Sequence, residues 1–274
     1  MRIWIGIIAI SATAHTLLAS PGSITVVSSL IGVGPTAEEI DNSNRVLVQA
    51  GTRTYIWSQA TGPQEIPKPA QYSYLQGWGM NDLGTVVGAT GSAAFRFSSV
   101  GGMQSLPLGS ALWQWGADIN DSGVTVGTVQ YDSSYAFRHT DAGGTEVIAG
   151  AMSQAWAINN NGTTVGQAGS QAFRWTASEG LQGLGMLPGG SSSVARDVND
   201  FGIIVGSCDG ISDGYPYGAQ WHAFIYSDEN GMRDLGTIVP GSSSLAYAVN
   251  AGGGCSWNGA WYCGRSNSCH PVGC

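Results

Sequence analysis

Residues 157–166 read AINNNGTTVG, and the same phrase recurs at regular intervals along the chain. Its other clear copies are GMNDLGTVVG at 79–88, DINDSGVTVG at 118–127 and DVNDFGIIVG at 197–206. The turn asparagines of these copies are 39 or 40 residues apart, a period typical of proteins built from stacked repeats. Asp41 marks a degenerate first copy and Asn250 a last one.

The phrase predicts a β-hairpin. Asn159 suits the first position of a type I turn, and Gly162 suits the left-handed residue that completes a bulged hairpin. Apolar residues such as Ile158 and Val165 flank the turn. A second phrase keeps the same period, as AFRF at 94–97, AFRH at 136–139, AFRW at 172–175 and AFIY at 223–226.

Each repeat therefore contains four short strands, for example 155–159, 163–167, 171–176 and 181–186, and no stretch predicts an amphipathic helix. A sheet of this size cannot bury its faces alone, so the repeats must stack. We predict an all-β fold, a β-propeller of about six four-stranded blades, in which the strand from Ser23 closes the ring against the last repeat. An open β-solenoid or sandwich of the same repeats is the alternative.

Residues 221–250 carry a family resemblance. His222-Ala223-Phe224, Asp234-Leu235-Gly236-Thr237 and Ala248-Val249-Asn250 resemble the bacterial HAF-repeat family of extracellular proteins, and a weaker match extends over residues 36–250. The resemblance implies secretion and a repeat fold. It supplies no catalytic residues.

The composition limits the possible partners. The formal net charge is −8 and only 10% of residues are charged, without the clustered lysines and arginines that a nucleic-acid-binding surface needs. Residues 1–20 have the outline of a signal peptide, with a buried first strand as the alternative, and the mature chain contains no predicted membrane span. Residues 22–250 then form the repeat domain, and 251–274 a cysteine-rich tail.

Catalytic residues are weakly indicated. Asp118 and Asp197 lie two residues before the turn asparagine and are candidate acids of a carbohydrate-active enzyme. No G-x-S-x-G motif is present, and we interpret His139, His222 and the serine clusters as structural.

Candidate ligand-binding residues lie three positions before the turn asparagine. This position varies more than its neighbours in the strand, and aromatic faces and guanidinium groups there can contact sugars. Packing in the core is the alternative reading. The position is occupied, in chain order, by Glu38, Trp78, Ala117, Trp156, Arg196 and Tyr247.

The fifth repeat has an additional loop, CDGISDGYPYGAQW from Cys208. Long loops on a repeat scaffold often bind ligands, so Tyr215, Tyr217 and Trp221 join the candidate ligand-binding residues. Asp209 and Asp213 are weak calcium candidates, because two carboxylates fall short of a dedicated calcium loop. A surface loop without a binding role is the alternative.

Cys208 stands alone, whereas four cysteines crowd the last twenty residues. In a secreted chain these four predict two disulfides of undetermined connectivity, and a truncated end without a role is the alternative. The four are Cys255, Cys263, Cys269 and Cys274. The sequence as a whole predicts a secreted binding module, possible partners being an extracellular glycan or a cell-surface protein, with an enzyme or a structural envelope protein as alternatives.

Overall fold

The structure is a computed structural model, and it describes residues 17–20, 23–26, 34–211, 220–237 and 241–257. These residues form β-strands and turns, and no helix among them is long and apolar enough to cross a membrane. The chain divides into two compact units. The first contains residues up to Asp132 together with 138–146, and the second contains 133–137 together with the chain from Val147 onward.

Seven antiparallel sheets follow one another along the described chain. The first is a hairpin of β1 (Leu17–Ser20) and β2 (Ser23–Val26). Sheet 1 contains β3 (Thr36–Ile40), β4 (Val46–Ala50), β5 (Arg53–Ser58) and β6 (Gly62–Glu65). Sheet 2 contains β7 (Gln76–Met80), β8 (Val86–Thr90), β9 (Ala93–Ser98) and β10 (Gly102–Ser105).

Three further repeats form four-stranded sheets, and a two-stranded sheet ends the described chain. Sheet 3 contains β11 (Trp113–Ile119), β12 (Thr125–Gln130), β13 (Ser134–Thr140) and β14 (Gly144–Val147). Sheet 4 contains β15 (Ser153–Ile158), β16 (Thr164–Ala168), β17 (Gln171–Thr176) and β18 (Gly180–Gly185). Sheet 5 contains β19 (Ser192–Val198), β20 (Ile204–Ile211), β21 (Gln220–Ser227) and β22 (Gly231–Gly236), and sheet 6 contains β23 (Ala246–Val249) and β24 (Cys255–Trp257).

The predicted all-β fold with four strands per repeat is confirmed, and in sheet 4 the predicted strand bounds agree within two residues. β2 pairs with β1 in the described chain. The predicted closure of the ring by the strand from Ser23 stays a prediction, because the residues that follow sheet 6 lie outside the described residues.

The turn that recurs in every repeat is the predicted bulged hairpin. In sheet 4, the amide of Gly162 donates to the carbonyl of Asn159 at 3.0 Å, and Gly162 has a φ of +82°. The Asn159 Oδ1 accepts a hydrogen bond from the amide of Thr163 at 2.8 Å. The side chain of the asparagine therefore fixes its own turn.

The same asparagine also binds the following repeat, a contact that the repeated phrase alone does not predict. The Nδ2 of Asn81 donates to the carbonyl of Asn120 at 3.0 Å, and Asn81, Asn120, Asn159 and Asn199 are buried. Asn159 binds the carbonyl of Asn199 in the same way at 2.8 Å, and Asn199 binds that of Asn250 at 2.9 Å. We call this series of contacts the asparagine relay.

The first repeat replaces the relay contact with an arginine. Asp41 occupies the asparagine position, and its Oδ1 caps the turn by accepting the amide of Arg45 at 2.8 Å. A carboxylate has no N–H to donate. The Arg45 side chain supplies the donor instead, since its Nε pairs with Asp41 Oδ2 at 2.5 Å and its Nη2 reaches the carbonyl of Asp82 at 2.9 Å. This contact explains why the first copy of the phrase is degenerate.

The hydrophobic core lies between successive sheets. In the second compact unit, Val165 and Leu187 of the fourth repeat pack with Ile204 and Phe224 of sheet 5. In the first, Leu47 of sheet 1 packs with residues of sheet 2 such as Phe95. In each unit, successive repeats thus bury apolar faces against one another, as a stacked architecture requires.

Candidate functional site

The first strand of every repeat carries a β-bulge at the same place. The pairing register skips one residue between, for example, Ala155 and Ala157, and the other five first strands shift at the equivalent position. In each first strand, the skipped residue is the one three positions before the turn asparagine, or before Asp41 in the first repeat. A bulge re-aims the side chain of its extra residue, and bulges are frequent next to functional sites. We call the skipped residues the bulge row: Glu38, Trp78, Ala117, Trp156, Arg196 and Tyr247.

The bulge row does not lie in the core. Strict alternation along the strand would place these side chains on the face of Met80, Ile158 and Val198, which are buried. The bulge breaks this alternation, so all six skipped side chains are at least partly exposed, and Tyr247 is 49% exposed. Core packing alone therefore does not account for the residues at this position.

Three members of the bulge row belong to the second compact unit, and two of them are in direct contact. The guanidinium of Arg196 lies over the ring of Trp156, 5.1 Å from its centroid. Such a cation–π contact holds the guanidinium in place. Burial lowers the pKa of Arg196, and the charge of the nearby Tyr247 opposes that effect. The Nε1 of Trp156 is buried without a hydrogen-bond partner among the described residues.

The other three members belong to the first compact unit. Glu38, Trp78 and Ala117 are half-buried. Beside Trp78, a Cβ on Gly79 would lie only 2.6 Å from the Cα of Asp118, so this strand passes very close to its neighbour. The described contacts do not join Glu38 and Trp78 into a cluster like that of Arg196 and Trp156.

The two candidate catalytic acids are bound to the backbone. Asp118 Oδ1 accepts the amide of Ile119 at 2.7 Å. Asp197 Oδ1 accepts the amide of Val198 at 2.7 Å, and its Oδ2 accepts the amide of Val249 at 2.7 Å. Asp197 therefore links two neighbouring first strands. This structural role accounts for a carboxylate at this position without a catalytic function.

The serines and histidines also have structural partners. Ser193 Oγ is fully buried, accepts the amide of Ala172 at 2.8 Å and donates to the carbonyl of Gly185 at 2.6 Å, and Ser244 makes the same two contacts one repeat later. His222 Nδ1 lies 2.9 Å from Asp234 Oδ2, whereas its buried Nε2 has no partner among the described residues. No nucleophile is thus bonded to this imidazole within the described chain.

The additional loop of the fifth repeat lies mainly outside the described residues, and with it Asp213, Tyr215 and Tyr217. Asp209 Oδ1 accepts the amide of Gly210 at 2.7 Å, and Trp221 is half-buried. In the part of the chain that the structure describes, no group of His, Cys, Asp or Glu side chains is arranged to hold a metal ion.

The cysteines fall into two kinds. Cys208 is a free, fully buried thiol whose pKa is raised by burial, and Cys255 is disulfide-bonded. The remaining cysteines of the predicted disulfides, Cys263, Cys269 and Cys274, lie outside the described residues.

A surface cavity of about 390 Å³ lies elsewhere in the second compact unit. Its walls include Phe201 and Ile203 of the turn between β19 and β20, Arg233 of sheet 5 and the turn at Gly252. Among the described residues, none of those proposed from the sequence as ligand-binding lines this cavity. The bulge row and this cavity are therefore separate features.

Comparison with known proteins shows the fold. A scan against protein families found no match, and neither did a search of the curated proteins. Solved structures that match are β-propellers. Virginiamycin B lyase from Staphylococcus aureus aligns with a TM-score of 0.54 and 10% identity over 84% of this chain and 85% of its own. TolB from Acinetobacter baumannii gives a TM-score of 0.54 and 10% identity over 81% of this chain and 58% of its own.

A third match is the extracellular domain assigned to a one-component system of B. thetaiotaomicron, with a TM-score of 0.50 and 9% identity over 90% of this chain and 37% of that one. These structural similarities confirm the predicted β-propeller fold. They indicate no particular activity, because proteins that share a fold of this kind have unrelated functions. No family match supports the HAF-repeat resemblance.

Proposed function

We propose that this protein is a secreted or periplasmic binding module whose ligand is an extracellular glycan bound by bulge-row side chains within one compact unit. The observation that carries the proposal is the bulge in each first strand. It turns a row of varied side chains, among them Trp78, Trp156 and Tyr247, out of the core on an otherwise repetitive scaffold. Aromatic faces held in this way stack on sugar rings. Secretion is supported by the resemblance to HAF-repeat proteins and by the hydrophobic N-terminal segment.

An enzymatic role finds less support. Two acids that catalyse glycoside hydrolysis need different environments and access to the substrate. The oxygens of Asp197 already accept two backbone amides. We therefore favour a binding function over a catalytic one.

The test is a glycan array probed with the full chain, without calcium and with it. We expect reproducible binding to at least one class of glycan, and a loss of that binding on Trp78→Ala or Trp156→Ala. Trp113→Ala is the matched control, because Trp113 is an exposed tryptophan outside the bulge row. Equal loss in the control, or no binding by a folded sample, would overturn the proposal. Binding that required calcium would move the site to the Asp209 loop.

A further inference from the structure

Arg196 differs from the other arginines of this acidic chain. Five of the seven arginines that the structure describes, Arg45, Arg53, Arg96, Arg138 and Arg174, form ion pairs with carboxylates. Within the same described chain, Arg196 and Arg233 pair with none. Arg233 is exposed to water, whereas Arg196 is half-buried. A half-buried guanidinium without an anion has lost hydration and gained little in return.

The surroundings of Arg196 leave its N–H groups available. Its described partner is the ring of Trp156, over which the guanidinium carbon lies 5.1 Å from the centroid, and an aromatic face leaves the N–H donors of the guanidinium free to meet an acceptor. The carboxylate next in sequence, Asp197, is bound to the amides of Val198 and Val249. Arg196 thus presents a planar fork of donors, fixed by an indole, and such a fork matches a carboxylate in a bidentate arrangement.

The neighbouring aromatic residue indicates what carries the carboxylate. Tyr247, the next member of the bulge row, is 49% exposed, and its strand is joined to that of Arg196 by the hydrogen bond from the amide of Val249 to Asp197 Oδ2 at 2.7 Å. An exposed aromatic ring beside a fixed guanidinium fits a sugar ring with an attached carboxylate, because one face of the sugar stacks while the carboxylate pairs. A flexible acidic peptide has no rigid ring to use this platform.

We propose that Arg196, Trp156 and Tyr247 bind a uronic acid residue of an acidic polysaccharide, with the carboxylate on the Arg196 guanidinium and the sugar ring against Tyr247. The inference rests on the proposed glycan-binding function and specifies its ligand class. It also explains how a protein with a net charge of −8 can recognise an anionic polymer, since the recognition depends on one desolvated cation instead of a basic surface.

The test is an isothermal titration of the full chain with three probes at one ionic strength: tetragalacturonic acid, its full methyl ester and tetraglutamate. We expect the acid to bind at least tenfold more tightly than its ester, and tetraglutamate to bind more weakly than the acid. Arg196→Gln should weaken binding of the acid by about tenfold or more, as loss of a charge-assisted bidentate contact does. Arg233→Gln removes the same charge from the same sheet and should leave binding unchanged.

A further variant separates recognition from folding. Arg196→Lys keeps a cation near Trp156 but loses the planar fork, so we expect it to keep the thermal unfolding midpoint and still lose several-fold in affinity for the acid. Tyr247→Ala should weaken the acid and its ester alike, because it removes the stacking surface that both use.

The outcomes distinguish the two proposals. If acid and ester bind equally and Tyr247→Ala weakens both, the uronate inference is overturned while glycan binding stands. If tetraglutamate binds more tightly than the acid, the ligand is an acidic peptide and both proposals are overturned. If the titrations show no binding and the glycan array shows binding at Trp78 alone, only the inference is overturned. Equal losses on Arg196→Gln and Arg233→Gln would also overturn it.

Discussion

At the scale of single residues, the turn asparagine is the side chain on which the stacking of repeats depends. An amide offers an acceptor and a donor at once, and Asn159 uses the acceptor within its own turn and the donor on Asn199. Aspartate can perform only the first task. Serine and threonine are too short to reach the next repeat while they cap the turn.

Asn159→Asp should therefore lower the free energy of unfolding by about 1–3 kcal/mol, because it removes a buried donor and sets a carboxylate against the Asn199 carbonyl. The first repeat indicates a rescue. Adding Thr163→Arg reproduces the Asp41 and Arg45 arrangement and should recover at least half of the loss. Urea unfolding followed by circular dichroism measures both. Asn250→Asp is the control, since the Nδ2 of Asn250 has no acceptor among the described residues. An equal loss of unfolding free energy in Asn250→Asp would contradict the stabilising role of the asparagine relay.

His139 predicts a pH dependence. Burial, followed by the charge of Arg96, lowers the pKa of His139 below its ordinary value of 6.5, and Asp141 opposes this only in part. The folded state therefore resists protonation that the unfolded state accepts, so this contribution to stability is complete above pH 6.5 and is lost as the pH falls through the lowered pKa.

We expect the free energy of unfolding of the wild type to fall more steeply below pH 6.5 than that of His139→Asn, because only the wild type carries a side chain that binds a proton more readily in the unfolded state. Asparagine can keep the contact that His139 Nδ1 makes with Thr145 at 2.8 Å and does not titrate. Urea unfolding at a series of pH values is the measurement. Parallel curves for the two proteins would show that this histidine titrates alike in both states.

At the scale of the strand and its hairpin, the bulge and the glycine opposite it form one feature. Ala155 pairs with Gly166, and a Cβ on Gly166 would lie 1.9 Å from the carbonyl oxygen of Gln154 and 2.9 Å from the ring of Phe173. Gly88 and Gly206 meet equally close backbone oxygens in sheets 2 and 5. The glycine that ends the repeated phrase thus admits both the bulged strand and the phenylalanine ring.

Gly166→Ala should cost about 3 kcal/mol or more, since the nearest obstacle is backbone and cannot rotate away. Gly150→Ala is the matched control, because a Cβ there meets nothing within 4 Å and the residue has no positive φ. Thermal unfolding of the two variants checks the difference. A small cost at Gly166 would mean that the strand pair shifts easily, and the bulge would then be a weaker support for the candidate site.

This feature also marks the limit of prediction from the sequence. The period and the turn residues predicted the strands and the hairpin of Asn159, because turn chemistry acts over a few residues. The bulge was not predictable in the same way, since it depends on the pairing of two strands and alternation alone placed Trp156 in the core. The contact of Arg196 with Trp156 joins two successive repeats and depends on how they pack. The sequence therefore indicated both positions, but it did not show that Arg196 lies over the indole without a carboxylate partner among the described residues.

At the scale of the whole molecule, the chain is a series of repeats, and recurring contacts join successive repeats within each compact unit. In the second unit, the amide donor and the serine hydroxyl recur from sheet 4 to sheet 5 and from sheet 5 to sheet 6. Stability in such a series is close to a sum of repeat and neighbour contributions. Changes in adjacent repeats should then interact, and changes in more distant repeats should add.

Double-mutant cycles within the second compact unit test this nearest-neighbour character. Asn159 donates to the carbonyl of Asn199, so the turn that Asn199 fixes also holds the acceptor for Asn159. Asn159→Ala and Asn199→Ala should together cost less than the sum of the single changes, by about 0.5–1 kcal/mol. Asn159→Ala and Asn250→Ala share no hydrogen bond in the described structure and should add within about 0.5 kcal/mol. Urea unfolding of the three single and two double variants provides the numbers. An equal interaction energy in both cycles would show that the relay acts through the whole unit rather than from one repeat to the next.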